Sequence, residues 1–226
     1  MKKITILILM VFGYFSNAQA IEGVNFGVSL TAGVFEADSG KEEFKGAHVG
    51  GASPGNISKS SVDTPEAMVG FASVFLEKEI TDMFALGIDY VPHSMDTDTA
   101  ENIQADKGAA SKTNSVKVSF EDLLTVYGTA QLGDAGLYAK VGYVQVDVNT
   151  EETLATGGAY GNTELDGYTI GLGYARDIEN DMFVRMEATY MDFDGATLTN
   201  TVDSTKSVTA DGISGYGARL SIGRAF

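Results

Sequence analysis

The sequence predicts an all-β chain, an eight-stranded antiparallel up-and-down transmembrane β-barrel. Three observations lead there: apolar and polar residues alternate with a period of two through eight strand-length runs, long and short connectors alternate between those runs, and no segment after the first twenty residues is apolar for long enough to cross a membrane as a helix. In a bilayer every backbone group needs a partner, so strands that cross must close on themselves.

The chain opens on an export signal. Lys2 and Lys3 precede the apolar stretch Ile4 to Phe15, and Ser16-Asn17-Ala18-Gln19-Ala20 follows, with the small residues Ala18 and Ala20 placed for signal-peptidase cleavage. Residues 1–20 are read as signal peptide and 21–226 as one barrel domain. Loss of Lys2 and Lys3 takes the formal charge from -16 to -18, a surface that excludes nucleic acid as a partner because phosphates demand Lys and Arg. The chain has no cysteine, hence no disulfide framework and no thiolate chemistry.

Val24 to Glu36 alternates Val24, Phe26, Val28, Leu30, Ala32 and Val34 against Asn25, Gly27, Ser29, Thr31 and Gly33. A Gly- and Ser-rich connector, Ala37 to Pro65, leads to Ala67 to Glu77, and the pentapeptide Lys78 to Asp82 turns that run into Met83 to Pro92, where Phe84, Leu86, Ile88 and Tyr90 face out. His93 to Ser115 is the second long connector; Val116 to Gln131, the tight turn Leu132 to Gly136 and Leu137 to Val148 come next. Asn149 to Glu164 precedes Leu165 to Arg176, the turn Asp177 to Asp181, and Met182 to Phe193. Asp194 to Asp211 opens the last strand, which ends in Tyr216 to Phe226. Long connectors thus share one rim and short turns the other, the asymmetry of bacterial outer-membrane barrels. Runs of roughly 10–14 residues suffice for a tilted crossing. They exceed the strands of about 5–6 residues usual in soluble proteins, which counts against a secreted soluble binding protein.

The eight alternating runs, the strings GYTIGLGYARDI and GYGARLSIGRAF, and an aromatic last residue together resemble the small OmpA/OmpX-type and opacity-porin-like outer-membrane barrels over essentially the whole mature chain. The resemblance implies a bacterial outer-membrane location and an insertion signal in the last strand, read by the barrel-assembly machinery, formed by Tyr216, Leu220, Ile222 and Phe226. Arg224 departs from that pattern, since it occupies an outward position where those families carry an apolar residue.

The alternation that turns Leu and Tyr outward sends Asp89, Lys117, Glu121, Lys140, Arg185, Glu187 and Arg219 inward, beside Thr125, Tyr127, Thr129, Gln131 and Tyr138. An eight-stranded interior is just wide enough for side chains to fill it, so these charges are expected to pair and plug the lumen. A narrow, cation-preferring pore is the alternative. Two registers stay open: adjacent Glu121 and Asp122 send one acid toward lipid unless a bulge intervenes. In the fifth strand Val144, Val146 and Val148 fall on the nominal inner face, which requires either that its top leaves the membrane or that it carries a bulge.

With no Trp, the aromatic girdles fall to Tyr90, Tyr143, Tyr168, Tyr174, Tyr190, Tyr216 and Phe226. The long connectors hold the acidity: Asp96, Asp98, Glu101 and Asp106; Asp147, Glu151, Glu152, Glu164 and Asp166; Asp192, Asp194, Asp203 and Asp211. Residues 96–101 lack the glycine and Glu spacing of a calcium loop, so no metal or other cofactor is assigned. An outer-membrane lipid-modifying enzyme would need Ser and His supported by an acid. The chain offers only His48 and His93, and Ser94 beside His93 points to the opposite face of a strand end, so no catalytic residue is assigned. The expected protein is a monomer with a plugged lumen and long acidic extracellular loops. Its role is structural or surface-interactive, its neighbours are outer-membrane lipid and lipopolysaccharide, and phage, host or other cells are possible loop partners.

Overall fold

The computed structural model describes residues 22–38, 40–44, 57–61, 66–104, 112–154, 158–202 and 204–226. The signal peptide, with Ala18 and Ala20, lies outside them, as do His48, Asp106 and Asp203. Eight strands form a closed antiparallel ring: β1 (Val24–Ala37), β4 (Glu66–Thr81), β5 (Phe84–Tyr90), β8 (Lys112–Gln131), β9 (Leu137–Thr153), β10 (Thr163–Asp177), β11 (Met182–Thr199) and β12 (Lys206–Ala225). Each pairs with its successor, and β12 returns to β1 from Ala225↔Asn25 to Ile213↔Ala37. Four short pieces extend the long-connector rim: β2 (Gly40–Phe44) on β12, β3 (Ile57–Ser61) on β2, and β6 (Met95–Asp96) and β7 (Ala100–Gln104) on β8.

The strands outrun the sequence reading at both rims. At the short-turn rim β4 runs on through Lys78 to Thr81, and the reversal tightens to Asp82-Met83 because Thr81 Oγ1 accepts the amides of Met83 (3.2 Å) and Phe84 (3.1 Å). At the other rim Ala196↔Ala210 to Thr199↔Ser207 continue the β11–β12 ladder through what alternation in the membrane alone assigned to a loop. The residues concerned are mostly Thr, Val, Ala and Leu in strict alternation, and β-branched residues favour a strand with or without lipid beside it.

The outward face is apolar across the middle of the ring. Val28, Leu30, Leu86, Ile88, Val126, Val141, Ile170, Leu172, Met186, Leu220 and Ile222 are all exposed there. A tyrosine level bounds this band toward the long connectors. Tyr90 donates its hydroxyl to Asp122 and Tyr143 to Asp166, while Tyr168 (3.1 Å) and Tyr190 (2.8 Å) share Asp192. Tyr190 and Tyr216 pack ring to ring with centroids 4.9 Å apart. Amphipathic rings with a carboxylate at the tip suit a boundary that is greasy on one side and wet on the other. The barrel crosses a membrane.

The interior has two storeys. Next to the short turns it is polar and charged; toward the long connectors it is apolar, built from Phe71, Val91, Leu123, Val144, Val146, Val148, Leu165, Met191 and Phe193. This resolves both open registers. Strand β9 keeps its register with β10 from Leu137 to Val148, and its valines face a greasy upper interior while outward Gln145 and Asp147 clear the apolar band. The bulge lies on β8, between Glu121 and Leu124, where Asp122 takes φ 53°. One extra residue reverses the parity of everything above it. Phe120 and Val118 therefore turn inward and pack against the apolar cluster, to which Leu123 just inside the bulge also belongs.

Lumen aromatics are seated on glycines. Tyr127 lies directly opposite Gly87, Tyr138 opposite Gly173, Phe183 opposite Gly223, Phe75 opposite Gly27 and Phe35 opposite Gly215. A Cβ on Gly27 would stand 2.6 Å from the Phe75 ring, and one on Gly87 or Gly173 would run into the facing tyrosine. The missing side chain is the space in which each ring lies flat against the wall.

Candidate functional site

The charged storey draws one residue from each of six positions on five strands: Glu77 on β4, Asp89 on β5, Lys140 on β9, Arg185 and Glu187 on β11, and Arg219 on β12. They form three ion pairs. Arg185 grips Glu77 with both terminal nitrogens, at 2.9 and 2.8 Å. Its guanidinium sits among the rings of Phe183, Tyr138 and Phe75, with centroids 4.5, 5.6 and 5.8 Å away. Glu77 also accepts from Tyr127 (3.2 Å) and Asn25 (3.4 Å). Lys140 donates to Glu187 (3.0 Å) while lying 4.4 Å from the centre of the Tyr127 ring, and Tyr138 donates to the other oxygen of Glu187 (2.9 Å). Arg219 reaches Asp89, which also accepts from Ser73 (3.1 Å), and it donates to Ser29 Oγ (2.7 Å).

Three acids thus meet three bases, and the storey is electrically neutral. The void left among Tyr127, Tyr138, Lys140, Arg185, Glu187 and Arg219 is about 10 Å³, room for a single water. Among the described residues three buried polar atoms here lack a partner: Arg185 Nε, Asn25 Oδ1 and Thr31 Oγ1.

The structure brings together Asp89, Lys140, Arg185, Glu187 and Arg219 as the alternation foresaw, and removes Lys117 and Glu121 from the set. Both lie above the β8 bulge, where reversed parity puts odd-numbered residues on the opposite face from the inward Val118 and Phe120. Lys117 pairs instead with Asp96 on β6, at 2.8 Å. That hydrogen bond holds the Asp96 carboxyl below its usual range and raises the Lys117 ammonium above its own. The missing partner is Glu77, 2% exposed. Its signal was present in sequence, since Phe71, Ser73, Phe75 and Glu77 share the inner parity of their strand.

The acidic connectors are partly tied down. Glu152 accepts the Tyr160 amide at 2.9 Å and the Thr150 hydroxyl at 2.9 Å. Thr201 donates its amide to the Ala159 carbonyl (2.8 Å) and accepts the Ala159 amide on its hydroxyl (3.1 Å), joining the β9–β10 connector to the β11–β12 tip. Among the described residues no group of three or more His, Asp or Glu is set to hold a metal.

At the C-terminus, Tyr216, Leu220 and Ile222 face outward, and Phe226 stacks on Phe26 with centroids 5.6 Å apart. The Phe226 carbonyl accepts the Gly23 amide at 2.6 Å. Arg224, the outward exception, lies 5.2 Å from the Phe226 ring centre and 3.6 Å from Asp181, both at the short-turn rim below the apolar band. Removing Phe226 should lower the yield of heat-modifiable barrel in the outer membrane, because the terminal strand loses its final aromatic and its last backbone bonds, to Gly23 and Val24. Undiminished yield would count against an assembly role.

No family model and no curated protein sequence matches the chain. Solved structures that resemble it include Neisserial surface protein A, 12% identical with a TM-score of 0.45, covering 91% of this chain and 100% of that one. The outer membrane protease OmpT from Escherichia coli is 12% identical with a TM-score of 0.42, covering 93% and 99%. The outer membrane protein AlkL, solved in DMPC lipid bilayers, is 13% identical with a TM-score of 0.43, covering 93% of each. The closed ring, the outward apolar band and the tyrosine girdle carry the assignment on their own: this chain is a small eight-stranded β-barrel of the bacterial outer membrane.

Proposed function

We propose that the protein is a closed-lumen surface scaffold, which holds its acidic long connectors outside the cell and passes little or nothing through its centre. The observation that supports this most is the double filling of the interior, three ion pairs below an apolar cluster. A conducting path would have to unpair charges in a confined space and then wet a packed layer of Phe, Val, Leu and Met; each step is unfavourable. With the long connectors outward, as is general for such barrels, the acidic extensions meet lipopolysaccharide, other cells or phage, and the short turns face the periplasm. No chemistry is assigned to the barrel in this reading, and it acts as a monomer.

Planar-bilayer recording with the purified barrel tests the proposal. Small and infrequent conductance steps are expected. A steady, large, cation-selective current would replace the scaffold with the narrow-pore reading, and the acidic rim would then serve to concentrate cations at the mouth.

A further inference from the structure

The barrel wall is not equally sewn along every junction. Between β4 and β5 the ladder stops at Val74↔Tyr90, at the tyrosine level. Above Val74, β4 stays with β1 as far as Glu66↔Glu36. The chain leaving β5 turns the other way and follows β8: Val91 donates its amide to the Leu123 carbonyl (3.0 Å), Met95 and Asp96 pair with Phe120 and Ser119, and Ala100 to Gln104 pair with Val116 to Lys112. Beyond that, among the described residues, β3 pairs with β2 alone and β7 with β8 alone. The result is a seam with β4 as one lip and residues 91–96 as the other. Behind it stand Phe71, Val91 and Leu123 of the apolar upper interior.

Among the described residues one hydrogen bond crosses the seam above Val74: the Ala72 amide donates to His93 Nε2, 3.1 Å away. The other ring nitrogen, Nδ1, lies 3.1 Å from the Ser94 carbonyl oxygen. An amide can only donate, so Nε2 must be the bare nitrogen and Nδ1 must carry the hydrogen that Ser94 accepts. This bridge exists only for the neutral ring. On protonation Nε2 gains an N–H that faces the Ala72 N–H, and two donors cannot bond. Among the described residues the ionisable groups on the surrounding elements are Glu66 on β4, Glu36 opposite it on β1, Tyr90 bonded to Asp122, Asp96 bonded to Lys117, Asp98, Glu101 and Glu121. None of these takes the Ala72 amide.

We propose that His93 is a proton-released latch on a lateral seam of the barrel wall, closed while the imidazole is neutral and freed when it is protonated. Release exposes the upper edge of β4 at the outer boundary of the membrane, beside an interior that would accept apolar groups. Imidazole is the side chain whose charge ordinarily changes between about pH 5 and 8.

Amide hydrogen exchange on the full mature barrel in phospholipid nanodiscs tests this, read as protection factors so that the intrinsic pH dependence cancels. Protection of the Ala72 amide should fall about tenfold between about pH 7.5 and about pH 5, while Val74, paired on both sides, keeps its protection. In His93→Gln the side-chain carbonyl accepts at both pH values, so Ala72 should stay protected at both. In His93→Ala it should be weakly protected at both. Equal Ala72 protection at the two pH values in the unmodified barrel, or loss of protection in acid by His93→Gln, would overturn the latch.

Discussion

Replacing Glu77 with Met should destabilise the barrel by about 3–5 kcal/mol, because the Arg185 guanidinium is left buried without its counter-charge. Glu77 is 2% exposed, is held by both terminal nitrogens of Arg185, and also takes bonds from Tyr127 and Asn25. The loss belongs to the orphaned cation more than to the bond. The double replacement Glu77→Met with Arg185→Met should accordingly recover most of the stability, since an apolar pair of similar volume avoids the desolvation that the ion pair must offset. Urea titrations of the lipid-embedded barrel, followed by circular dichroism or gel mobility, give both values. A single replacement costing under about 1 kcal/mol, or a double no better than the single, would mean that water reaches Arg185 and the plug is porous.

Gly173→Ala is expected to cost at least about 1–3 kcal/mol, an overpacking penalty from a single methyl. The methyl would enter the Tyr138 ring on the facing strand, and moving that ring also breaks its 2.9 Å bond to Glu187. Gly128→Ala provides the control. Its Cβ would face outward at an ordinary 3.6 Å from Leu86, and the change should stay within about 0.5 kcal/mol. If both substitutions behave alike, the ring-on-glycine seats contribute nothing that a plain strand would not. Adding Tyr138→Ala to Gly173→Ala should give a penalty smaller than the sum of the two, since the truncated ring vacates the space the methyl needs.

The ring and its strand count were legible because parity in a membrane strand is a binary signal, repeated along each run. Val28, Leu30, Ile170, Leu172, Leu220 and Ile222 all stand outward where alternation put them. Lys117 and Glu121 were misplaced for the same reason, since a single inserted residue at Asp122 inverts every assignment above it and nothing local in the sequence announces which residue is extra. The acid pair Glu121-Asp122 did mark the place. The apolar upper storey was visible only as an anomaly in Val144, Val146 and Val148, because period-two reasoning expects a polar lumen throughout and has no category for a greasy one. Pairing was out of reach altogether: alternation tells which residues point inward, while Glu77 and Arg185, 108 residues apart, meet only through the closed circuit of strands.

That circuit gives the ion pairs a place in the order of assembly. Glu77 on β4 and Arg185 on β11 lie on either side of the junction between the first and last strands, and so do Asp89 on β5 and Arg219 on β12. Neither bond can form while β1 and β12 are apart. An open sheet in the bilayer would hold four charges without partners, and each of them pulls the sheet edges back toward water or toward each other. Once the edges meet, the same four groups fasten the junction from within, across the one place in the barrel that no chain connection secures. The interior thus discriminates finished barrels from unfinished ones, and it does so through electrostatic terms that only closure can satisfy.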